Sequence, residues 1–183
     1  MREVEKICYW KPIQTGIEED NDTQTVEYLA KLTDDEILRH GFRLEKPLSP
    51  HLSARLANVE ITIDKVISFL EIADKNRFLI VEGAGGVLVP LNEKEMMIDL
   101  MIALNLPVIV VARSGLGTIN HTCLTIEMLR MKGLEVFGVI MNGEPNFENK
   151  KVIEHYGKIK VIAEIPKVEN ILSDFDTILN LKF

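Results

Sequence analysis

The sequence has no apolar run that approaches the roughly 18 residues of a membrane-spanning helix. Its first six residues are rich in charge, and no apolar stretch of the kind found in secretory signal peptides follows them. We therefore expect neither a membrane partner nor secretion.

Cysteine and positive charge are also scarce. The two cysteines, Cys8 and Cys123, lie far apart and form no C-x-x-C pair, which argues against a zinc site and against thioredoxin-type chemistry. A protein without a disulfide framework fits a reducing compartment, so we expect a cytoplasmic location. The net charge is -7 and the basic residues are scattered, which argues against a nucleic-acid partner. A small molecule is the expected partner.

Internal repeats and Gly/Ser-rich or Pro-rich linkers are absent too, so we expect residues 1–183 to form a single domain. Short apolar runs alternate with amphipathic stretches of helix length, which predicts an α/β fold built on a doubly wound parallel sheet. Continuous apolar strands further predict burial on both faces of the sheet. The runs are 7–10, 78–81, 107–112, 136–141 and 160–165, and the helical stretches are 63–73, 96–104, 119–131 and 148–155.

Ligands of such folds bind beyond the carboxyl ends of the strands, so residues just after each apolar run are candidates for function. Lys11 would offer a compact cation to a phosphate or to developing negative charge. Thr15 could hydrogen-bond a substrate. A surface lysine in an ordinary loop is the alternative interpretation of the same segment.

Two carboxylates could bind a magnesium ion. Glu82 ends an apolar run and is followed by the glycine-rich stretch 83–86, where backbone N–H groups could approach an anion closely. A solvated glutamate beside a glycine turn is the alternative. Asp22 could be a second magnesium ligand, or the N-cap of a helix predicted at 24–32.

The segment SGLGTINH, residues 114–121, joins a strand to a predicted helix whose free N–H groups would favour a carboxylate or phosphate. We expect His121 to serve helix-start packing or hydrogen bonding, because the sequence supplies no partner ligand at metal-binding spacing. Asn142 could bind the edge of an adenine ring or simply form a turn.

Taken together and in this order, YWKPIQTG, DNDT, SPHLSA, VEGAGGVLVPL, LPVIVVARSGLGTINH and the Asn-Gly pair at 142–143 resemble the dethiobiotin synthetases, from about Tyr9 to the C-terminus. The resemblance implies a P-loop NTPase-like fold of the nitrogenase iron protein-like group, and a homodimer. It further implies an enzyme that takes 7,8-diaminopelargonate, CO2 and ATP with Mg2+, and returns dethiobiotin, ADP and phosphate.

The resemblance also implies roles for individual residues. Lys11 matches the catalytic lysine, Thr15 a substrate-contacting hydroxyl, and Asp22 and Glu82 the carboxylates that bind magnesium and nucleotide. The remaining positions match the site of the substrate's distal carboxylate, at Gly115, Leu116, Gly117 and Asn120, and the nucleotide site, at Gly83, Ala84, Gly85, Gly86, Asn142, Pro166, Lys167 and Val168.

One family feature is missing from the sequence. No G-x-x-x-x-G-K-[ST] phosphate-binding loop occurs in the 183 residues. We expect a first β-α unit of roughly 30 residues to be absent, and the chain as written to have little or no synthetase activity. A shortened form of a working enzyme and a true remnant both fit. The alternative functions are a related amidoligase, such as a cobyrinate amide synthase domain, and a non-catalytic protein that binds the diamine.

Overall fold

The computed structural model describes residues 6–18, 21–74 and 76–168. The chain divides into two compact units, Met1–Leu104 and Asn105–Phe183, which we call unit 1 and unit 2. In the described part of the chain, no helix combines the length and the apolar character needed to cross a membrane.

Unit 1 contains two small parallel sheets. One has the strand order β3-β1-β5, and the other pairs β2 with β4. Trp10 at the end of β1 lies opposite Val81 at the end of β5, so the residues that follow both strands emerge side by side at one edge. The strands are β1 Ile7–Trp10, β2 Ile13–Thr15, β3 Ile37–Leu38, β4 Phe42–Leu44 and β5 Phe78–Val81.

Four helices and two 3-10 turns complete unit 1. Asn21 caps the first helix, because its side chain accepts a hydrogen bond from the backbone N–H of Gln24. Asp22 is therefore the first helical residue, and its interpretation as the N-cap is wrong. The helices are α1 Asp22–Ala30, α2 Pro50–Leu56, α3 Ile63–Ser68 and α4 Met97–Leu104, and the 3-10 turns are Asp34–Glu36 and Phe69–Ile72.

The core of unit 1 is built around Trp10, which has no exposed surface. Its indole Nε1 donates a hydrogen bond to the carbonyl of His40 at 2.7 Å, so the buried polar atom is satisfied. Apolar side chains from β2, α3, α4 and the connecting loops pack in the same cluster, including Ile13, Val66 and Leu100. The core thereby fixes the end of β1, which leads into Lys11.

Unit 2 is a three-stranded parallel sheet with the order β6-β7-β8 and two helices. Ile126 and Ile153, from its two helices, are fully buried together with Val139 of the central strand. The elements are β6 Val108–Arg113, α5 Thr118–Met131, β7 Val136–Asn142, α6 Phe147–Gly157 and β8 Val161–Ile165.

The predicted α/β fold with parallel strands is confirmed, and the single domain stays a prediction. Burial on both faces is wrong for β5. Leu79 and Val81 pack against the core of unit 1, but Phe78 and Ile80, on the other side of the strand, are 60% and 44% exposed. The side chains of the described residues thus cover only one side of this strand, although its apolar run is continuous.

Candidate functional site

Lys11 lies at the centre of a charged cluster in unit 1. Its Nζ is 2.5 Å from a carboxylate oxygen of Asp22 and 2.7 Å from Oε1 of Glu82. The lysine is only 5% exposed, whereas both carboxylates are partly open to solvent. An unpaired ammonium would be costly at this depth, and the two carboxylates offset the cost of burying it.

Each member of the cluster comes from a different element. Lys11 follows β1, Asp22 begins α1 and Glu82 follows β5. The backbone N–H of Glu82 donates to the carbonyl of Trp10 at 2.9 Å, which continues the ladder between the two strands past their ends. The parallel pairing therefore places the carboxylate and the ammonium next to each other.

Tyr9 is the fourth member of the charged cluster. Its hydroxyl donates a 2.6 Å hydrogen bond to Oε2 of Glu82, the oxygen that Lys11 does not use. Burial raises the pKa of the Tyr9 hydroxyl well above its ordinary value. The hydrogen bond to Glu82, and the negative charges of Glu82 and Asp22, raise this pKa further because they oppose formation of a phenolate.

The cluster borders a cavity of about 230 Å³. Lys11 and Asp22 form its charged wall, and Thr15 at the end of β2 contributes a hydroxyl. The rest of the lining combines polar and apolar side chains: Gln14, Leu48, Ser49, Pro50, Ala84, Gly85 and Val89. A small polar molecule with an apolar portion suits such a lining.

The glycine-rich stretch after Glu82 reaches the same cavity through Ala84 and Gly85. Gly85 has a left-handed backbone with φ of +76°, and a Cβ added there would lie 2.9 Å from a methyl of Val89. A glycine is therefore required at this turn. Gly83 contributes its carbonyl, which is 3.4 Å from the Lys11 Nζ, and Gly86 has open space around it.

Asp22 and Glu82 are the residues of unit 1 that could hold a magnesium ion. No group of three or more histidine, cysteine or acidic side chains with metal-binding geometry occurs among the described residues. Two carboxylates nonetheless fit magnesium, which commonly takes one or two carboxylates and completes its shell with water and phosphate oxygens. The predicted pair is thus brought together, and its role as a metal site stays a prediction.

The predicted residues of unit 2 lie at the start of α5 and at the strand ends. Gly115, Leu116, Gly117 and Asn120 are all exposed, and Gly117 is the N-cap of α5 with φ of +90°. Gly117 has no side chain that could cap this helix. Backbone N–H groups at the start of α5 can therefore bind an acceptor from outside.

The strand ends of unit 2 are linked by backbone hydrogen bonds. Asn142 ends β7, and its backbone carbonyl accepts a hydrogen bond from the N–H of Ser114 at 3.0 Å. The residue is exposed, so its side-chain amide is open to a ligand. The N–H of Gly143 donates to Ile165 at the end of β8, just before Pro166, Lys167 and Val168. His121 has its Nδ1 3.2 Å from an Arg113 nitrogen, in agreement with a hydrogen-bonding role.

Tyr9 was not among the predicted site residues. It lies inside the first apolar run, where an aromatic side chain is most simply interpreted as core. The usable signal was its spacing from Lys11, because residues two apart along an extended chain point to the same side.

Comparison with known proteins now bears on these residues. A family model described as an AAA domain matches residues 1–173. An ATP-dependent dethiobiotin synthetase, BioD, of Paramagnetospirillum magneticum is 49% identical over 157 residues, which cover 86% of this chain and 74% of that protein. The chain belongs to the dethiobiotin synthetase family.

Two further relatives show how the family domain is used. The BioD dethiobiotin synthetase of Nitrobacter hamburgensis is 41% identical over 166 residues, 91% of this chain and 76% of that protein. The biotin biosynthesis bifunctional protein BioCD of Bordetella avium is 46% identical over 162 residues, but these are 88% of this chain and only 34% of that protein. The dethiobiotin synthetase chain thus spans about three quarters of its single-function relatives and about a third of the bifunctional one.

Proposed function

We propose that this chain carries the active site of an ATP-dependent dethiobiotin synthetase, with Lys11 as its catalytic cation. One observation carries the proposal: the buried Lys11 ammonium lies between Asp22 and Glu82 on the wall of the unit 1 cavity. A family relative at 49% identity that is named for this activity supports it.

The substrates of the reaction are 7,8-diaminopelargonate, CO2 and ATP. One amine adds to CO2 and loses a proton to become a carbamate, and the γ-phosphoryl group of ATP passes to a carbamate oxygen, which releases ADP. The second amine then attacks the carbamoyl carbon, the ring closes and phosphate leaves. Negative charge builds up on the carbamate and on the phosphoryl group, and Lys11 is the cation positioned to stabilise it.

The Lys11 ion pairs can be exchanged for substrate contacts. An ammonium has three N–H donors, and two of them point at Asp22 and Glu82. The third donor faces the carbonyl of Gly83, 3.4 Å from the Nζ. A carbamate or phosphate in the cavity can therefore displace this long contact or one carboxylate. Thr15, on the same wall, is proposed to hydrogen-bond the diamine.

We propose that Asp22 and Glu82 also hold Mg2+ with the nucleotide. When bound, the ion neutralises negative charge on the phosphates. Glu82 has two lone pairs on each oxygen, so its bonds to Tyr9 and Lys11 leave room for a cation. The glycine-rich turn at 83–86 is proposed to lie beside the phosphates.

Two further binding roles are proposed within unit 2. The start of α5, with Gly115, Leu116, Gly117 and Asn120, would receive the distal carboxylate of the substrate, because free N–H groups at a helix start favour anions. The exposed amide of Asn142, together with Pro166 to Val168, would contact the adenine.

We also infer a homodimer and a cytoplasmic location. Large apolar side chains are exposed at and beside α5, among them Leu116, Leu124 and Met131. Apolar side chains that point to solvent along one helix suit an interface between copies of the chain. Both cysteines are free thiols, which suits a reducing compartment.

Synthetase turnover should depend on Lys11. The assay supplies the protein with diaminopelargonate, bicarbonate and Mg-ATP. Lys11→Met should lower product formation by about a hundredfold or more, the effect typical of losing one transition-state charge contact. Mass spectrometry of dethiobiotin over several hours is the measurement.

Lys132→Met is the matched control, because Lys132 is an exposed lysine of unit 2. It should leave product formation unchanged. Equal rates in the Lys11→Met and Lys132→Met variants would refute the catalytic role of Lys11. Calorimetric titration with diaminopelargonate alone and with Mg-ATP alone separates an enzyme from a binding protein: uptake of the diamine with no uptake of the nucleotide would favour the binding protein.

A further inference from the structure

The Tyr9 hydroxyl is a buried polar group with a single acceptor in the charged cluster. Tyr9 is 5% exposed, and its hydroxyl lies 2.6 Å from Oε2 of Glu82. A hydroxyl buried at this depth is costly without a partner, so the bond to Glu82 holds the tyrosine and the carboxylate together.

The two oxygens of Glu82 are divided between two donors. Oε1 accepts from Lys11 at 2.7 Å, while Oε2 accepts from Tyr9 at 2.6 Å. A glutamate side chain bound only by Lys11 could rotate about its last torsion, which is broad. The second bond, from the opposite end of the carboxylate, removes that freedom.

The donor itself is held rigidly. Tyr9 belongs to β1, the central strand of its sheet, and lies opposite both Ile37 of β3 and Ile80 of β5. Glu82 is more mobile in principle, because its side chain is 43% exposed at the end of the neighbouring strand. The rigidly held tyrosine therefore fixes the position of the more exposed Glu82 carboxylate through their hydrogen bond.

We propose that Tyr9 is a positioning residue that keeps the Glu82 carboxylate in place when Lys11 exchanges its ion pairs for a substrate anion. The inference rests on the proposed function of Lys11 and Glu82. With Lys11 withdrawn, the hydrogen bond from Tyr9 is the remaining side-chain contact that the structure gives Glu82. A fixed carboxylate binds a divalent cation with less loss of side-chain entropy.

Tyr9→Phe removes this hydroxyl and keeps the ring. Without it, Glu82 should leave Lys11 more often, so acetylation of Lys11 by acetic anhydride should rise on the order of fivefold relative to the exposed Lys31, as expected for the loss of one hydrogen bond. The Mg2+ concentration for half-maximal dethiobiotin formation should rise by about the same factor, with a smaller change in the rate at saturating Mg2+. Peptide mapping reads the first effect without ligands.

Tyr28→Phe is the matched control, because Tyr28 is 69% exposed on α1. Should Tyr9→Phe prove too unstable by thermal melting, Glu82→Asp replaces it: the shorter side chain cannot reach both donors, and Lys11 acetylation should rise with Tyr9 intact. Acetylation and Mg2+ dependence equal to those of Tyr28→Phe would overturn the inference. If Lys11→Met is inactive and Tyr9→Phe behaves as wild type, only the Tyr9 role fails; if Lys11→Met is fully active, the proposed function fails.

Discussion

At the scale of the single residue, burial and charge are in conflict at Lys11. Its side chain is 6% exposed, yet it ends in an ammonium that is paired with two carboxylates at 2.5 and 2.7 Å. Replacing such a cluster by apolar side chains is often neutral or stabilising, which makes it weak as a device for stability. The presence of this cluster just past the ends of β1 and β5 is better explained by the chemistry that a cation can perform there.

Gly16, one residue after Thr15, tests how tightly the cavity wall is built. Its φ is +72°, and an added Cβ would lie 3.0 Å from the Cβ of Pro47. Gly16→Ala should lower the free energy of unfolding by roughly 1–2 kcal/mol, the cost of a left-handed backbone for a residue with a side chain. Urea denaturation measures this change.

Gly86→Ala is the companion variant for Gly16→Ala. No atom lies within 4 Å of the position of its added Cβ, and its φ is not in the left-handed region. Its free energy of unfolding should stay close to that of the wild type. A Gly16→Ala protein as stable as the Gly86→Ala protein would show that the turn after Thr15 tolerates a side chain.

At the scale of the element, ion pairs join the segment around the first 3-10 turn to its neighbours. Arg39 binds both Glu27 of α1 and Asp34, while Asp35 contacts Arg77 just before β5. A hydrogen bond from the Thr33 hydroxyl and the Arg77 guanidinium hold the pKa of Asp35 below its ordinary 3.8. Hydrogen bonding to Arg39 lowers the pKa of Glu27 in the same way.

Acid should therefore weaken unit 1 in a defined direction. A carboxylate with a lowered pKa contributes stability above its ordinary pKa and loses it as the pH falls through the lowered value. The free energy of unfolding should decline from about pH 5 downward, and it should decline less steeply in Asp35→Asn. Urea unfolding at a series of pH values is the measurement, and parallel pH profiles for the two proteins would contradict the assignment.

The elements also show what the sequence can predict. Strands β1 and β5 match their apolar runs, and the rule that parallel strands end at one edge predicts that Lys11 and Glu82 lie together. The two- and three-residue strands β2, β3 and β4 were missed, because segments so short show no periodicity. The helix predicted at 63–73 tightens into a 3-10 turn after Ser68, a change that apolar spacing does not report.

The candidate site was predictable to a similar extent. Strand ends indicated Lys11 and Glu82, and the family resemblance added Asp22; the three side chains form one cluster. Tyr9 was hidden because its ring is core and only its hydroxyl is polar. Which oxygen of Glu82 meets which donor depends on side-chain geometry, and no linear pattern encodes it.

At the scale of the whole molecule, unit 1 has two small sheets, unit 2 has one, and each unit has its own hydrophobic cluster. The charged cluster belongs entirely to unit 1, whereas the start of α5 belongs to unit 2. We propose that the charged cluster serves phosphoryl chemistry and that the start of α5 binds a carboxylate.

The proposed homodimer can be tested on α5. Leu124 is 62% exposed and Met131, two helical turns later, is 79% exposed. Leu124→Glu should shift the sedimentation coefficient from that of a dimer to that of a monomer, since a charge in an apolar interface is costly. Lys151→Glu places the same side chain on the exposed part of α6 and should sediment as the wild type does. A monomeric wild-type protein at micromolar concentration would refute the dimer.

The ion pairs of Lys11 also make the cavity selective for strongly anionic groups. Two carboxylates already pair with the ammonium, so a neutral molecule cannot replace either of them and does not bind to Lys11. A phosphate or a carbamate can displace one of the two carboxylates, because its charge is concentrated on a few oxygens. At Lys11, binding is thus governed by how negative a molecule is, whereas Thr15 and the apolar part of the lining can accept a less charged portion of it.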